Sequence, residues 1–117
     1  MGDLGELQSR LRKFRDDRDW EQFHTIKDLA SALSIEASEL VELMLWMRDE
    51  EVDKALENQE FRESFVDECA DIFNYLLLIA DKVGFDLVAK ANTKISKNAE
   101  KYPVAKSYGK STKYNRL

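Results

Sequence analysis

Residues 61–82 read FRESFVDECADIFNYLLLIADK, and this stretch carries a clear helical pattern. Its seam positions recur at steps of four and three residues, the spacing of a helix that packs along another helix. The seam comprises Phe61, Phe65, Glu68, Ile72, Tyr75 and Ile79. Glu68 is the one acid in this seam, and the other seam residues are hydrophobic or aromatic. The stretch therefore predicts a packed helix from about residue 61 to 82, with a carboxylate inside its interface.

A second seam precedes the first and has the same irregularity. Its members, at steps of three and four residues, are Ile26, Leu29, Leu33, Glu36, Leu40, Leu43 and Met47. Thr25 is a suitable N-cap, and we expect this helix to run to about Arg48. If the two seams pack antiparallel, Glu36 and Glu68 lie at similar heights. Two buried carboxylates repel each other unless a positive charge lies between them.

Each seam glutamate is followed by another acid three residues later. Glu39 follows Glu36 and Asp71 follows Glu68, so each helix offers two carboxylates on adjacent turns of one face. An all-oxygen set suits Mg²⁺ or Mn²⁺, whereas zinc sites usually bring His or Cys and di-iron bundles bring Glu-x-x-His pairs. One isolated Glu-x-x-Glu is usually a solvated helix face. Two such pairs, each anchored in an apolar seam, favour a metal site.

The rest of the chain also favours helices, since 117 residues include only four Gly and one Pro. We expect further helices over about 3–17 and 86–101, and a short helix or a turn within 49–60. These elements predict an all-α domain, residues 1–103, that resembles a four-helix bundle. Residues 104–117 are expected to form an extended basic tail.

The charge is unevenly distributed along the chain. The net charge is −5, but residues 90–117 hold eight Lys or Arg against one acid. Such a basic segment could bind nucleic acid, an acidic membrane surface or a small anion. We find no leader sequence and no apolar run approaching the ~18 residues of a membrane span, so we expect a soluble cytoplasmic protein. The single cysteine, Cys69, cannot form an intramolecular disulfide and is expected to fill the core.

The acid motifs, Glu36-Ala37-Ser38-Glu39 and Glu68-Cys69-Ala70-Asp71, resemble the E-x-x-E … E-x-x-D signature of the MazG-like all-α NTP pyrophosphatases. Further similarity to the dCTP pyrophosphatase branch lies in residues 18–24, 39–46, 101–104 and 113–114. The resemblance covers nearly the whole chain from Leu11 onward. It implies a homotetramer made of two tight dimers, and hydrolysis of a (deoxy)nucleoside triphosphate between its α- and β-phosphates. The products would be a monophosphate and pyrophosphate.

The resemblance also implies roles for individual residues. The catalytic metal ligands would be Glu36, Glu39, Glu68 and Asp71, and a metal-activated water would attack the α-phosphorus. Base and sugar would contact Trp20, Phe23, His24, Trp46 and Tyr75. The phosphates would lie near Lys94, Asn98 and Lys101. Aromatic faces stack on bases for roughly 1–3 kcal/mol, although these rings could equally be core or dimer-interface packing. At a position where some relatives carry a polar residue near the substrate, this chain has Leu11.

Two other classes of function remain open. A nucleotide sensor or partner-binding oligomer would bind triphosphate without turnover. A structural helical oligomer would use its basic tail on nucleic acid, with salt-dependent and Mg²⁺-independent binding. The interrupted seams argue against the second class, because leucine at positions 36 and 68 would serve a purely structural bundle better. The prediction is therefore a Mg²⁺-dependent nucleotide pyrophosphohydrolase that uses neither nucleic acid nor a membrane as partner.

Overall fold

The computed structural model describes residues 3–117, and over this range the fold is helical without strands. Six α-helices follow one another along the described chain: α1 Leu4–Asp17, α2 Ile26–Leu43, α3 Asp49–Ala55, α4 Gln59–Val83, α5 Leu87–Lys101 and α6 Val104–Ser107. Short 3₁₀ turns occupy Glu21–Phe23 and Tyr114–Arg116. The chain divides into two compact units, of which the first ends at Gly84 and the second is Phe85–Leu117. The prediction of an all-α fold is confirmed.

Several helix ends are fixed by capping groups that lie close to them in the sequence. The Thr25 hydroxyl accepts a hydrogen bond from the backbone N–H of Asp28 at 3.1 Å, and a carboxylate oxygen of Asp86 accepts from Ala89 at 3.0 Å. Each bond satisfies an N–H group that has no partner within its own helix. Helix α4 ends at Gly84, whose φ of 87° is a left-handed conformation that glycine adopts without strain.

Helix α2 ends earlier than the sequence predicts. Its last residue is Leu43, not a residue near Arg48, and the chain turns through Trp46 at a φ of 66°. Arg48 is instead the N-cap of α3, and its Nε lies 2.7 Å from a carboxylate oxygen of Glu51 in the first turn of that helix. Three acids in this turn interact favourably with the positive end of the helix dipole and favour a new start. The last member of the predicted seam, Met47, therefore lies outside α2.

Residues 104–117 differ from the expected extended tail. They contain α6 and a terminal 3₁₀ turn, and the Lys101 ammonium lies 4.7 Å from the centroid of the Tyr114 ring. The Tyr102 ring meets the Tyr114 ring edge-on, with centroids 6.1 Å apart. These cation–π and aromatic contacts hold the end of the chain against the end of α5. The division into domain and tail at residue 103 stays a prediction.

The core of the first unit lies where α2 packs against α4. The buried apolar residues of this unit are Leu29 from α2 and Leu77, Leu78 and Ala80 from α4. Burial of each leucine side chain contributes about 1.5–3 kcal/mol. Cys69 is exposed, so its expected role in the core is wrong. None of the helices within residues 3–117 is both long and apolar enough to cross a membrane.

Helix α1 is held to α4 by ion pairs as well as by apolar contacts. Asp81 accepts from Arg12 Nε at 3.0 Å and from Arg15 Nη1 at 3.4 Å. Arg15 is buried, and its Nε also donates to Asp16 at 2.8 Å. A buried guanidinium needs such carboxylate partners to offset its lost hydration. The paired arginines lie late in α1 and meet α4 near its end, so α1 has a defined position against α4.

Candidate active site

Three of the four predicted metal ligands come together. Glu36 and Glu39 of α2 and Glu68 of α4 each offer one carboxylate oxygen, and these oxygens all lie within 4.8 Å of one another. The i,i+3 spacing places the first two on adjacent turns of α2. The packing of α2 on α4 brings Glu68 to them. The result is a compact group of oxygen donors between two helices.

Two of these acids have incomplete hydrogen bonding. Among the residues described, one carboxylate oxygen of Glu36 and one of Glu68 are buried without a hydrogen-bond partner. The neighbouring Glu68 carboxyl, burial and then Glu39 raise the pKa of Glu36 from 4.5 to about 7. Buried carboxylates in such proximity are stabilised by a bound cation. The site therefore fits a hard divalent cation, for which carboxylate oxygens are suitable ligands.

Asp71 is not part of this group of oxygens. It lies one turn after Glu68 on α4, is exposed, and lines a cavity of about 400 Å³. Tyr75 lines the same cavity, and its pKa is raised by burial and then by the charges of Glu36, Asp71 and Glu39. Glu36 and Glu39 are thus close enough to the cavity for their charges to influence Tyr75 in its wall.

The cavity lies between α1, the following 3₁₀ turn and α4. Of the residues predicted to contact base or sugar, it is lined by Trp20, His24 and Tyr75. Its remaining walls come from Leu7, Arg10, Leu11, Phe14, Arg15, Asn74 and Leu78. Leu11 contributes an apolar part of this wall. A cavity of this size, largely apolar with a few polar groups, is typical of a small-molecule site.

The aromatic wall is fixed by contacts along the chain. Phe14 and Trp20 meet edge-on with ring centroids 5.7 Å apart, and Trp20 and His24 are 6.5 Å apart. The Trp20 backbone N–H donates to the Arg15 carbonyl oxygen at 3.0 Å. Burial, and then the charges of Arg15 and Lys82, lower the pKa of His24. His24 is therefore favoured in its neutral form, and its Nδ1 is buried with no hydrogen-bond partner within residues 3–117.

Two predicted aromatic contacts do not line this cavity. Phe23 is 63% exposed and Trp46 is 92% exposed. Trp46 lies in the turn that ends α2, a turn that the seam pattern did not anticipate. A substrate role for either residue stays a prediction.

The predicted phosphate contacts belong to the second unit. Lys94 lines a shallow cavity of about 370 Å³ on α5 together with Lys90 and Lys97. Lys101 lies over the Tyr114 ring, and the carbonyl oxygen of Asn98 accepts from the backbone N–H of Tyr102 at 2.9 Å. Their contact with phosphates stays a prediction.

Sequence reasoning missed three polar groups in the wall of the larger cavity. Asn74 could have been found, because it follows Asp71 by three residues and precedes Tyr75, which places all three on neighbouring turns of one helix face. Arg10 and Arg15 could not, because their place depends on how α1 packs on α4. No periodic pattern in α1 alone marks them.

The chain is similar to known proteins in sequence and in fold. The profile of the MazG-like family matches residues 31–117. The dCTP pyrophosphatase 1 of Bos taurus is 37% identical over 114 residues, which cover 97% of this chain and 68% of that protein. The protein of the same name from Homo sapiens is 33% identical, with 97% and 67% covered.

A solved structure is also similar. A pyrophosphatase from Archaeoglobus fulgidus superimposes with a TM-score of 0.82 at 36% identity, over 88% of this chain and 94% of that one. These comparisons confirm the predicted enzyme class, a nucleoside triphosphate pyrophosphohydrolase. On the evidence of the family profile and of these relatives, the chain belongs to the MazG-like family.

Proposed function

We propose that this protein hydrolyses dCTP or a related pyrimidine deoxynucleoside triphosphate to the monophosphate and pyrophosphate. The proposal is carried by one observation, the convergence of Glu36, Glu39 and Glu68 beside the cavity that Tyr75 and Asp71 line. The acids form a part of the site that is suited to a metal and phosphates, and the adjoining aromatic cavity is suited to a base. The relatives named dCTP pyrophosphatase support a cytosine nucleotide.

The acids Glu36, Glu39, Glu68 and Asp71 would hold Mg²⁺, or Mn²⁺ in its place. The two buried carboxylate oxygens without partners support this assignment. A cation bound there supplies positive charge opposite the triphosphate and lowers the pKa of a water molecule that it binds. Asp71 would be the fourth ligand, because it lies one helical turn from Glu68 on the same face of α4.

The remaining residues bind and orient the nucleotide. Trp20 and Tyr75 provide ring faces for stacking, and neutral His24 offers a hydrogen bond to base or sugar. Phe23 and Trp46 add apolar contacts to the base. Lys94 and Lys101 would neutralise the phosphate charge and Asn98 would donate a hydrogen bond to a phosphate oxygen, which suits the basic character of α5. Holding the α-phosphorus still relative to the attacking water contributes several kcal/mol to such a reaction.

We place the working protein in the cytoplasm as a homotetramer of two tight dimers. Large apolar side chains left exposed on α2 and α4 support an oligomer, among them Ile35, Val41 and Val66. Exposed apolar groups on a helical unit of this size are typical of surfaces between subunits. Its partner outside the oligomer is the small-molecule nucleotide, not nucleic acid or a membrane.

The test is a panel of deoxy- and ribonucleoside triphosphates incubated with the purified protein and Mg²⁺ in ¹⁸O-labelled water. We expect monophosphate and pyrophosphate, with the label in the monophosphate, because the water attacks the α-phosphorus. Label in pyrophosphate would place the attack at the β-phosphorus and contradict the mechanism. Binding without any product would indicate a nucleotide sensor, and inertness toward the whole panel would overturn the proposal.

A further inference from the structure

The cavity contains two arginines whose side chains differ in their contacts. Arg15 is buried and is bound to Asp16 at 2.8 Å and Asp81 at 3.4 Å. Arg10 lines the same cavity but is exposed, and within residues 3–117 its guanidinium has no ion-pair or hydrogen-bond partner. A guanidinium carries five N–H donors in a planar fork. Those of Arg10 are therefore free to bind a ligand.

The positions of residues along α4 show how far each part of the cavity lies from the acids. Glu68 belongs to the acid group, and Tyr75 follows seven residues later, roughly 10 Å along the helix axis at 1.5 Å per residue. Arg15 reaches Asp81, which is farther still from Glu68. Arg10 lies about one and a half turns before Arg15 on α1, and it lines this cavity together with Asn74 and Tyr75. It also lines a second cavity with Glu6 and Phe73. The proposed function stacks the base on Trp20 and Tyr75, and because Arg10 lines the same cavity as these two rings, Arg10 is placed beside the base.

The chemistry of the pyrimidine edge decides which base such an arginine favours. A guanidinium fork binds two adjacent acceptors, as it does with the O6 and N7 atoms of guanine. Cytosine offers O2 and N3 as neighbouring acceptors, whereas N3 of uracil and thymine carries a hydrogen and would oppose a donor. The exocyclic amine of cytosine needs an acceptor, and the unpartnered Nδ1 of His24 in the same cavity suits it.

We propose that Arg10 donates two hydrogen bonds to O2 and N3 of cytosine and thereby makes the enzyme prefer cytosine over uracil and thymine nucleotides. This inference rests on the proposed function and names the residue that selects the base. A matched bidentate contact discriminates against the wrong base by on the order of 10- to 100-fold. Arg10 is thus a specificity-determining residue, separate from the acids that carry the reaction.

The test compares the wild-type enzyme with Arg10→Met, which keeps the apolar stem of the side chain and removes its donors. kcat/KM is measured for dCTP, dUTP and dTTP with Mg²⁺. Binding of dCMP and dUMP is measured by calorimetry without metal. Lys13→Met is the control, because Lys13 is an exposed cation on the same helix that pairs with Asp17 and does not line the cavity.

We expect the wild-type preference for dCTP over dUTP to fall about 10- to 100-fold in Arg10→Met and to stay unchanged in Lys13→Met. The preference for dCMP over dUMP should fall in parallel. An equal loss for all three triphosphates would assign Arg10 to the phosphates and overturn the inference, as would an unchanged ratio. A wild-type protein without turnover would refute the proposed function alone, because monophosphate binding would still decide whether Arg10 reads the base.

Discussion

Glu36 on α2 and Glu68 on α4 bring carboxylate oxygens within 4.8 Å of each other, and each keeps a buried oxygen without a hydrogen-bond partner within residues 3–117. Two helices that pack through leucine elsewhere thus meet here through acids. This arrangement lowers stability in the absence of a cation and provides a site for one.

The first prediction concerns the stability of the metal-free protein as a function of pH. The pKa of Glu36 is about 7 in the folded protein against an ordinary value of 4.5, so the folded state retains a proton that the unfolded chain releases. The stability from this group is fully present below pH 4.5 and is lost as the pH rises to about 7. Thermal unfolding in EDTA should therefore show a midpoint that falls across this range. Glu36→Gln should make the unfolding midpoint depend less on pH between 4.5 and about 7. The same pH dependence in both proteins would contradict a raised pKa of Glu36.

The second prediction concerns the effect of Mg²⁺ on unfolding. A cation that binds only the folded protein stabilises it by about 2.7 kcal/mol at one hundred times its dissociation constant. The unfolding midpoint should rise with Mg²⁺ in the wild type and in Glu63→Gln, whose exposed acid lies on α4 outside the group of acids. Glu39→Gln should weaken the response. A wild-type midpoint that is independent of millimolar Mg²⁺ would argue against a metal site.

The third prediction separates catalysis from folding at Glu68. Glu68→Gln should lower pyrophosphate release about 100-fold or more, because it removes a charged ligand from the site. Its helical circular dichroism should match that of the wild type, and its metal-free stability should be equal or higher, since a buried charge is lost. Activity assays and urea unfolding on one preparation check both parts. Retained turnover would show that Glu68 does not hold the metal.

The fourth prediction concerns the attachment of α1. Asp81→Asn should destabilise the protein by about 2 kcal/mol, because the buried Arg15 guanidinium keeps only Asp16 as a partner. Asp17→Asn is the matched control, since it breaks an ion pair with Lys13 in which both side chains are more than half exposed. That pair should contribute less than about 1 kcal/mol. Equal losses in urea unfolding would mean that the burial of Arg15 has no energetic consequence.

Local sequence determined the helices and most of their ends. Thr25 and Asp86 start helices because their side chains accept hydrogen bonds from backbone N–H groups three residues away. Gly84 ends a helix because glycine adopts the left-handed conformation there without strain. The early end of α2 was missed because the apolar spacing continues to Met47 through residues that are no longer helical. A seam pattern marks which side chains can pack, but it does not mark the turn at Trp46.

The sequence by itself also determined which acids could converge, because the positions of Glu36 and Glu68 in two apolar seams predict that both face a helix interface. Only the tertiary structure decided that Asp71 lies on the cavity side, and that Arg10 and Arg15 line that cavity. The physical reason is the range of each interaction. Periodicity and capping act within one helix, whereas the place of Arg10 depends on the ion pairs and packing that hold α1 to α4.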